Sequence, residues 1–387
     1  MKRINTIDFT RGLVMIIMAL DHVRDLMHTT ALSQDPTNLE TTTAGIFLTR
    51  WITHLCAPTF VFLSGTSAFI SLQNNTDIRA GRKFLVNRGL WLILLEFTVI
   101  TLGLWADIQF RTIVFQVIGA IGLGFIILSL LLKLPSKTIG IIGLVIILSH
   151  NLLQGVTFND NPGSRFIWSF LFRLDVFPVT PNFTFAVLYP FIPWLGIMLA
   201  GYGFGPVFKQ NEDQRRKTLF LTGLGLLTFF ILLRFANFYG DPSPWKPQKN
   251  PLFTFLSFIN ISKYPPSLLY SSVTLGIMFL VLGLADGVKN RFVSIISVYG
   301  KVPLFYYLLH WYLVHSLMFV LMYYQGFAWK DLPFGPFQFG RPVNGSGVEL
   351  PYVYLIWAFV IVILYPLCKW YSGYKSAHRD NQWLRYI

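Results

Sequence analysis

Runs of roughly twenty apolar residues recur along the whole chain, and a helix of that length crosses the ~30 Å hydrocarbon core of a bilayer. They fall at Thr6–Met27, Ile46–Leu72, Leu85–Trp105, Ile113–Leu132, Thr138–Leu153, Phe183–Phe208, Thr218–Ala236, Pro266–Ala285, Val298–Tyr323 and Tyr352–Tyr371. Inside lipid every backbone polar group must be satisfied within the protein. The expected fold is therefore all-α, a polytopic membrane bundle of about ten transmembrane helices forming one domain over residues 1–387. A soluble alternative is excluded by composition, because 12% charged residues is half the share that soluble domains carry. Leu252–Ile261 is too short to span and reads as re-entrant or interfacial. Phe166–Val179 reads as an amphipathic outer-loop stretch of undetermined form. Cys56 and Cys368 lie inside apolar runs and imply no disulfide framework.

The net charge of +14 points either to nucleic acid or to membrane topology. Nineteen of the 31 Lys and Arg fall in loops on one side and eight on the other. The remaining four, Arg11, Arg24, Arg50 and Arg234, sit within or at the ends of helices. Such asymmetry places both termini in the cytoplasm, as an even helix count requires. The excess is thus topological, and no nucleic-acid partner is expected, since no binding motif accompanies it. A signal peptide fits the first segment poorly, because Asp21, His22 and Arg24 follow the apolar stretch instead of a small-residue cleavage site.

That first segment is the most informative. Its uncharged run, Gly12–Leu20, covers only about 13 Å, so spanning forces charged groups into the membrane. At 100° per residue Arg11 and His22 share one face about 16 Å apart, with Asp8 beside them. Ionisable groups at such depth normally face a bundle interior or an aqueous cavity and mark function, although Asp8 and Arg11 could simply pair at the cytoplasmic end. In the second segment His54 stands four residues before Pro58, which has no N–H for the His54 carbonyl. A kink is expected there, with a carbonyl open to water or ligand. Glu96 is a lone carboxylate in an apolar helix and needs a partner or a proton. His310 and His315 are about 140° apart and cannot share one site on a straight helix. Arg234, Asn237, Asp241 and Trp245 suit either a sugar or a capped loop. No HExxH, CxxC or His/Cys pair at i, i+4 occurs, so no metal is expected, and no Walker A motif supports ATP-driven transport.

The strings D-x-x-R-G with a following His (Asp8, Arg11, Gly12, His22), RWITHLCAPTFVFLSG, LYPFIPWLGIMLAGYGFG, RFANFYGDPSPW, KYPPSLLY and YGKVPLFYYLLHWYLVH resemble the bacterial branch of the heparan-alpha-glucosaminide N-acetyltransferase-like membrane proteins, over about residues 3–373. The resemblance implies the transmembrane acyltransferase superfamily, whose members carry acetyl from cytoplasmic acetyl-CoA to a sugar beyond the membrane. In the related O-acyltransferases the essential first-helix residues match Asp8, Arg11 and His22. In the lysosomal heparan enzyme the catalytic histidine lies in a loop before the second helix, within H-x-x-W-N-G. Thr42–Phe47 stands there in this chain, which leaves His22 and His54 as alternative bases.

On this reading the catalytic residues are His22, His54, Asp8 and Arg11. Arg11, Arg82, Lys83 and Arg88 would bind acetyl-CoA as co-substrate, since phosphates need clustered cations. Glu96, Arg234, Asp241, Trp245 and His310 would bind the acceptor, an amino sugar or glycan hydroxyl. The expected location is the inner (cytoplasmic) membrane, the partners are the bilayer, acetyl-CoA and the acceptor, and homo-oligomer formation is left open. The alternative is a proton-coupled transporter or flippase of an envelope intermediate, since buried His, Glu and Arg also build proton relays.

Overall fold

The computed structural model describes residues 4–73, 77–153, 155–156, 158, 161–378 and 380–385. Of the basic residues used for topology, Lys2, Arg3 and Arg379 lie outside them. Among the described residues, eight helical stretches are long and apolar enough to cross a membrane. The second segment is α2 (Ala44–Ile52) and α3 (Cys56–Leu72), joined by a 3-10 turn at Thr53–Leu55. The third is α4 (Ile78–Leu95), a π-helical turn at Glu96–Ile100 and α5 (Thr101–Trp105). The others are α7 (Ser136–Ser149), α9 (Phe191–Phe204), α10 (Glu212–Ala236), α12 (Leu268–Ala285), α14 (Pro303–Tyr324) and α15 (Leu350–Ala377). Two further helices complete the bundle: α1 (Asn5–Met27), rich in charge, and α6 (Val117–Leu131), only 15 residues long.

α1 begins and α15 ends at the same end of the bundle. There Thr6 Oγ1 donates to the Leu282 carbonyl at 2.8 Å, Arg215 pairs with Asp286 at 2.7 Å, and Phe305 stacks on Tyr371. At the far end Arg341 donates to the carbonyls of Leu26 and His28, and Arg111 to that of Phe334. α1 packs against α3, α12, α14, α15 and the short helix α13 (Arg291–Lys301). Asp8, Asp21 and Arg24 are consequently buried in protein rather than set against lipid. The periphery is apolar and exposed, as at Leu224 and Leu232 of α10 and Leu355 and Val362 of α15. α1 and α13 meet backbone to backbone: a Cβ at Gly300 would stand 1.8 Å from the Asp8 carbonyl oxygen. Only glycine permits that approach.

Several expected helix boundaries are corrected. Thr112–Phe115 is a strand, β1, and Phe183–Val187 is another, β3, where continuous helix had been expected from Ile113 and from Phe183. The β-branched and aromatic residues there pair in parallel, and β2 (Asp175–Thr180) adds antiparallel to β3. Phe166–Val179 resolves into helix α8 (Pro162–Phe172) followed by β2. Leu252–Ile261 is mostly helix, α11 (Pro251–Ile259), too short to cross. The run from Val298 is broken at Val302–Pro303, because proline cannot donate back into the preceding turn, and α13 and α14 separate there.

Candidate functional site

Arg11 reaches across to α3, donating from Nη2 to the Leu63 carbonyl at 2.8 Å and to Ser67 Oγ at 2.7 Å. Together with Met15, Ser64, Arg88 and Tyr307 it lines a cavity of about 100 Å³ in the half of the bundle nearest the termini. Asp8 is buried where α1 meets α13 and does not line this cavity. Arg82 spends its guanidinium on the Ser129 and Leu130 carbonyls, while Lys83 is exposed.

Three turns beyond Arg11 on α1, His22 meets His310. Its Nδ1 stands 2.6 Å from His310 Nε2, and its ring stacks on Trp311 with centroids 3.8 Å apart. His310 is fully buried, and its Nδ1 faces the Tyr306 carbonyl at 3.3 Å. A carbonyl only accepts, so for neutral rings Nδ1 of His310 carries the hydrogen and Nε2 offers a lone pair. His22 then donates from Nδ1, leaving its Nε2 as the basic nitrogen. His22 itself is half-buried and so stays reachable.

At the far end Asp21 is shared by two arginines, Arg24 at 2.8 Å and Arg50 at 2.6 Å, and Arg24 also pairs with Asp25. Arg24, Asp25, Arg50 and His54 line a second cavity, of about 450 Å³, with Asp35, Lys263 and Tyr264 from the loops. Burial would raise the Tyr264 phenol, but the Lys263 and Arg50 cations outweigh it and hold it below its ordinary value. His54 Nδ1 is buried and has no partner among the described residues. The expected break at Pro58 is present as the 3-10 turn, and the freed His54 carbonyl accepts from Tyr270 Oη at 2.8 Å rather than from a ligand. Along α1, then, Arg11 and Met15 line one cavity, Arg24 and Asp25 the other, and His22 stands between them.

The remaining expected acceptor residues are engaged within the fold. A 15-residue α6 spans only about 22 Å, so its first N–H groups open inside the bundle. Glu96 accepts from the Gln116 N–H there, with Gly119 against the same oxygen, and so caps the start of α6. Arg234 donates to the carbonyls of Phe258, Ser243, Ser257 and Asn260. Asp241 accepts from Ser243, Ser262 and Ser267, and Trp245 Nε1 donates to the Arg234 carbonyl. These three tie α10, the following loop and the start of α12 together. His315 faces the Phe339 carbonyl at 2.8 Å, apart from His310. Sequence reasoning missed the grouping of Arg24, Arg50 and Lys263. The first two registered only as charges within helices, and their depth was the signal to pursue.

A family model described as heparan-alpha-glucosaminide N-acetyltransferase, catalytic, matches residues 3–233, more than half of the chain. The match takes in His22, His54 and both α1 cavity edges, and ends before His310. No curated protein matches the chain.

Proposed function

The chain belongs to the heparan-alpha-glucosaminide N-acetyltransferase catalytic family, and from that premise we propose that it moves an acetyl group from acetyl-CoA to a hydroxyl or amine of a sugar on the other side of the membrane. The observation that carries this reading is the 2.6 Å His22–His310 contact, set between a cavity edged by Arg11 and Arg88 and a polar one at the far end. His22 Nε2 takes the proton of the acceptor as its oxygen or nitrogen attacks the thioester carbonyl. The C–S bond then breaks, and the proton passes to the leaving CoA thiolate. His310 Nε2 holds the Nδ1–H of His22 and so stabilises the imidazolium formed in between.

The cavity edged by Arg11 and Arg88 would take the thioester arm. The nucleotide phosphates would accordingly lie at the basic end of the bundle, where Lys83 is exposed. That end would face the cytoplasm, a placement supported by the loop-charge asymmetry and by the start of α1 and the end of α15 lying together there. His54 is the alternative base, and among the described residues no group fixes its Nδ1.

The test is purified protein in nanodiscs with acetyl-CoA and a panel of neutral, amino and acidic sugars, following free CoA and acetylated product together. Turnover should disappear in His22→Ala and persist in His54→Ala. Turnover retained in His22→Ala would move the base elsewhere, and absence of both CoA release and acetyl-CoA binding would end the transferase reading.

A further inference from the structure

A third cavity lies apart from the two that α1 edges and shares no lining residue with either. It is a cleft of about 630 Å³ between α7 and α10, floored by Leu268, Leu275 and Phe279 of α12. The cleft follows from how the helices pair. α7 lies against α9 where Gly140 meets Gly203, and α10 lies against α12 where Gly223 meets Gly276. Small residues draw each pair together, and α7 and α10 stand apart as the two walls.

The two ends of the cleft differ. At the far end the Tyr239 hydroxyl, just beyond α10, donates to the Leu148 carbonyl, and the Leu268 N–H donates to Asn151 Oδ1 at 2.9 Å. Walls and floor are thereby tied together. At the basic end no hydrogen bond among the described residues joins α7 to α10, and Ser136, Lys137 and Pro206 form a mouth. Lys137 is exposed, and among the described residues it is the one charged group on the lining. Along the side, Ile141 and Leu144 of α7 and Phe229 of α10 are 50%, 52% and 39% exposed, so the cleft opens onto the hydrocarbon of the bilayer.

An apolar slot shut at one end and bearing a cation at the other matches a hydrocarbon chain with a negatively charged head. From Lys137 to Leu148 α7 rises about 16 Å, so such a chain would run from headgroup level into the bilayer core. A helix of a second copy, 10–12 Å wide, would fill about 1,300 Å³ or more over that length, twice the space present.

We infer that the cleft holds one acyl chain of an anionic glycerophospholipid whose phosphate pairs with Lys137. The site is separate from the transferase reading and does not depend on it. Lipid tails are as apolar as the cleft, so no hydrophobic force drives the chain in. Retention rests on close van der Waals contact with the walls and on the attraction of Lys137 for the head.

The experiment is native mass spectrometry of the full chain in neutral detergent, titrated with phosphatidylglycerol and phosphatidylcholine of identical chains. Wild type is compared with Lys137→Gln, Lys217→Gln and Thr222→Trp, and thermal unfolding checks that each is folded. Lys217 is exposed near the start of α10 but does not line the cleft, so it controls for general attraction to the basic end. Thr222 lines the cleft, and an indole there occupies it. The first phosphatidylglycerol should bind about fivefold more tightly than the first phosphatidylcholine. Lys137→Gln should remove that preference and Lys217→Gln should keep it, while Thr222→Trp should weaken the first lipid of either kind at least about tenfold. Equal affinity for the two lipids overturns the inference, as does a preference that Lys217→Gln lowers as much as Lys137→Gln. First-lipid binding unchanged in Thr222→Trp also overturns it, and so does a dimer that Thr222→Trp separates, because the cleft would then receive a second copy. If Thr222→Trp does not fold, the contrast between the two lysine variants decides.

Discussion

Replacing His310 separates a catalytic pair from a packing contact. His310→Phe keeps a flat ring against Tyr306 and Trp311, whose centroids lie 5.6 and 5.2 Å from that of His310, but deletes the lone pair that faces His22 Nδ1. In the ground state the lost bond joins two neutral rings and is worth about 1 kcal/mol. In the transition state His22 carries a proton, and a hydrogen bond from a charged donor is worth about 1.5–3 kcal/mol. The rate loses only the difference, about 0.5–2 kcal/mol, so at about 1.36 kcal/mol per decade turnover should fall about 2- to 30-fold, with KM for the acceptor nearly unchanged because the interaction strengthens only in the transition state. Free-CoA release in nanodiscs measures both constants. His310→Gln, whose amide oxygen can accept from Nδ1, should recover part of the rate while His310→Leu does not. Thermal unfolding of all three variants reports the packing contribution separately. If His310→Phe turns over at the wild-type rate while His22→Ala is inactive, the contact is packing alone and the tautomer argument fails.

Further outcomes follow from other elements. Glu96→Leu should lower stability by about 1–3 kcal/mol by leaving α6 amides buried and unmet, whereas Glu96→Gln, which retains an acceptor, should keep most of it; equal unfolding temperatures for the two would refute the capping role. Gly300→Ala should cost about 1–3 kcal/mol or displace α13, since its Cβ would meet the Asp8 carbonyl at 1.8 Å, and a variant unfolding at the wild-type temperature would contradict that packing. His28, just beyond α1, is held below its ordinary value by burial. Its contribution to stability is therefore complete above about pH 6.5 and is lost as pH falls from there toward the lowered value, because the unfolded chain binds the proton first. Thermal unfolding across pH 5–7.5 should show that slope reduced in His28→Gln.

The helical spans were legible because each apolar run reports its own burial, residue by residue. So were the helix face that carries Arg11 and His22 and the freed carbonyl at His54, since both follow from 100° per residue and from one missing N–H. Strands β1 and β3 were misread as helix because a short apolar run has no period that separates the two, and only pairing between segments about 70 residues apart settles it. Glu96 looked like chemistry because its partner, the open start of α6, exists only once α6 begins at depth.

What the sequence determined by itself is the solvent and the strain: a chain for the bilayer, carrying a first helix whose charges require a protein interior. Packing alone decided what those charges do. It brought His310 to His22 across 288 positions, gave Asp21 to two arginines and set those arginines at the edge of a cavity. Ion pairs and hydrogen bonds act over a few ångströms of space, and separation along the chain carries no measure of that distance.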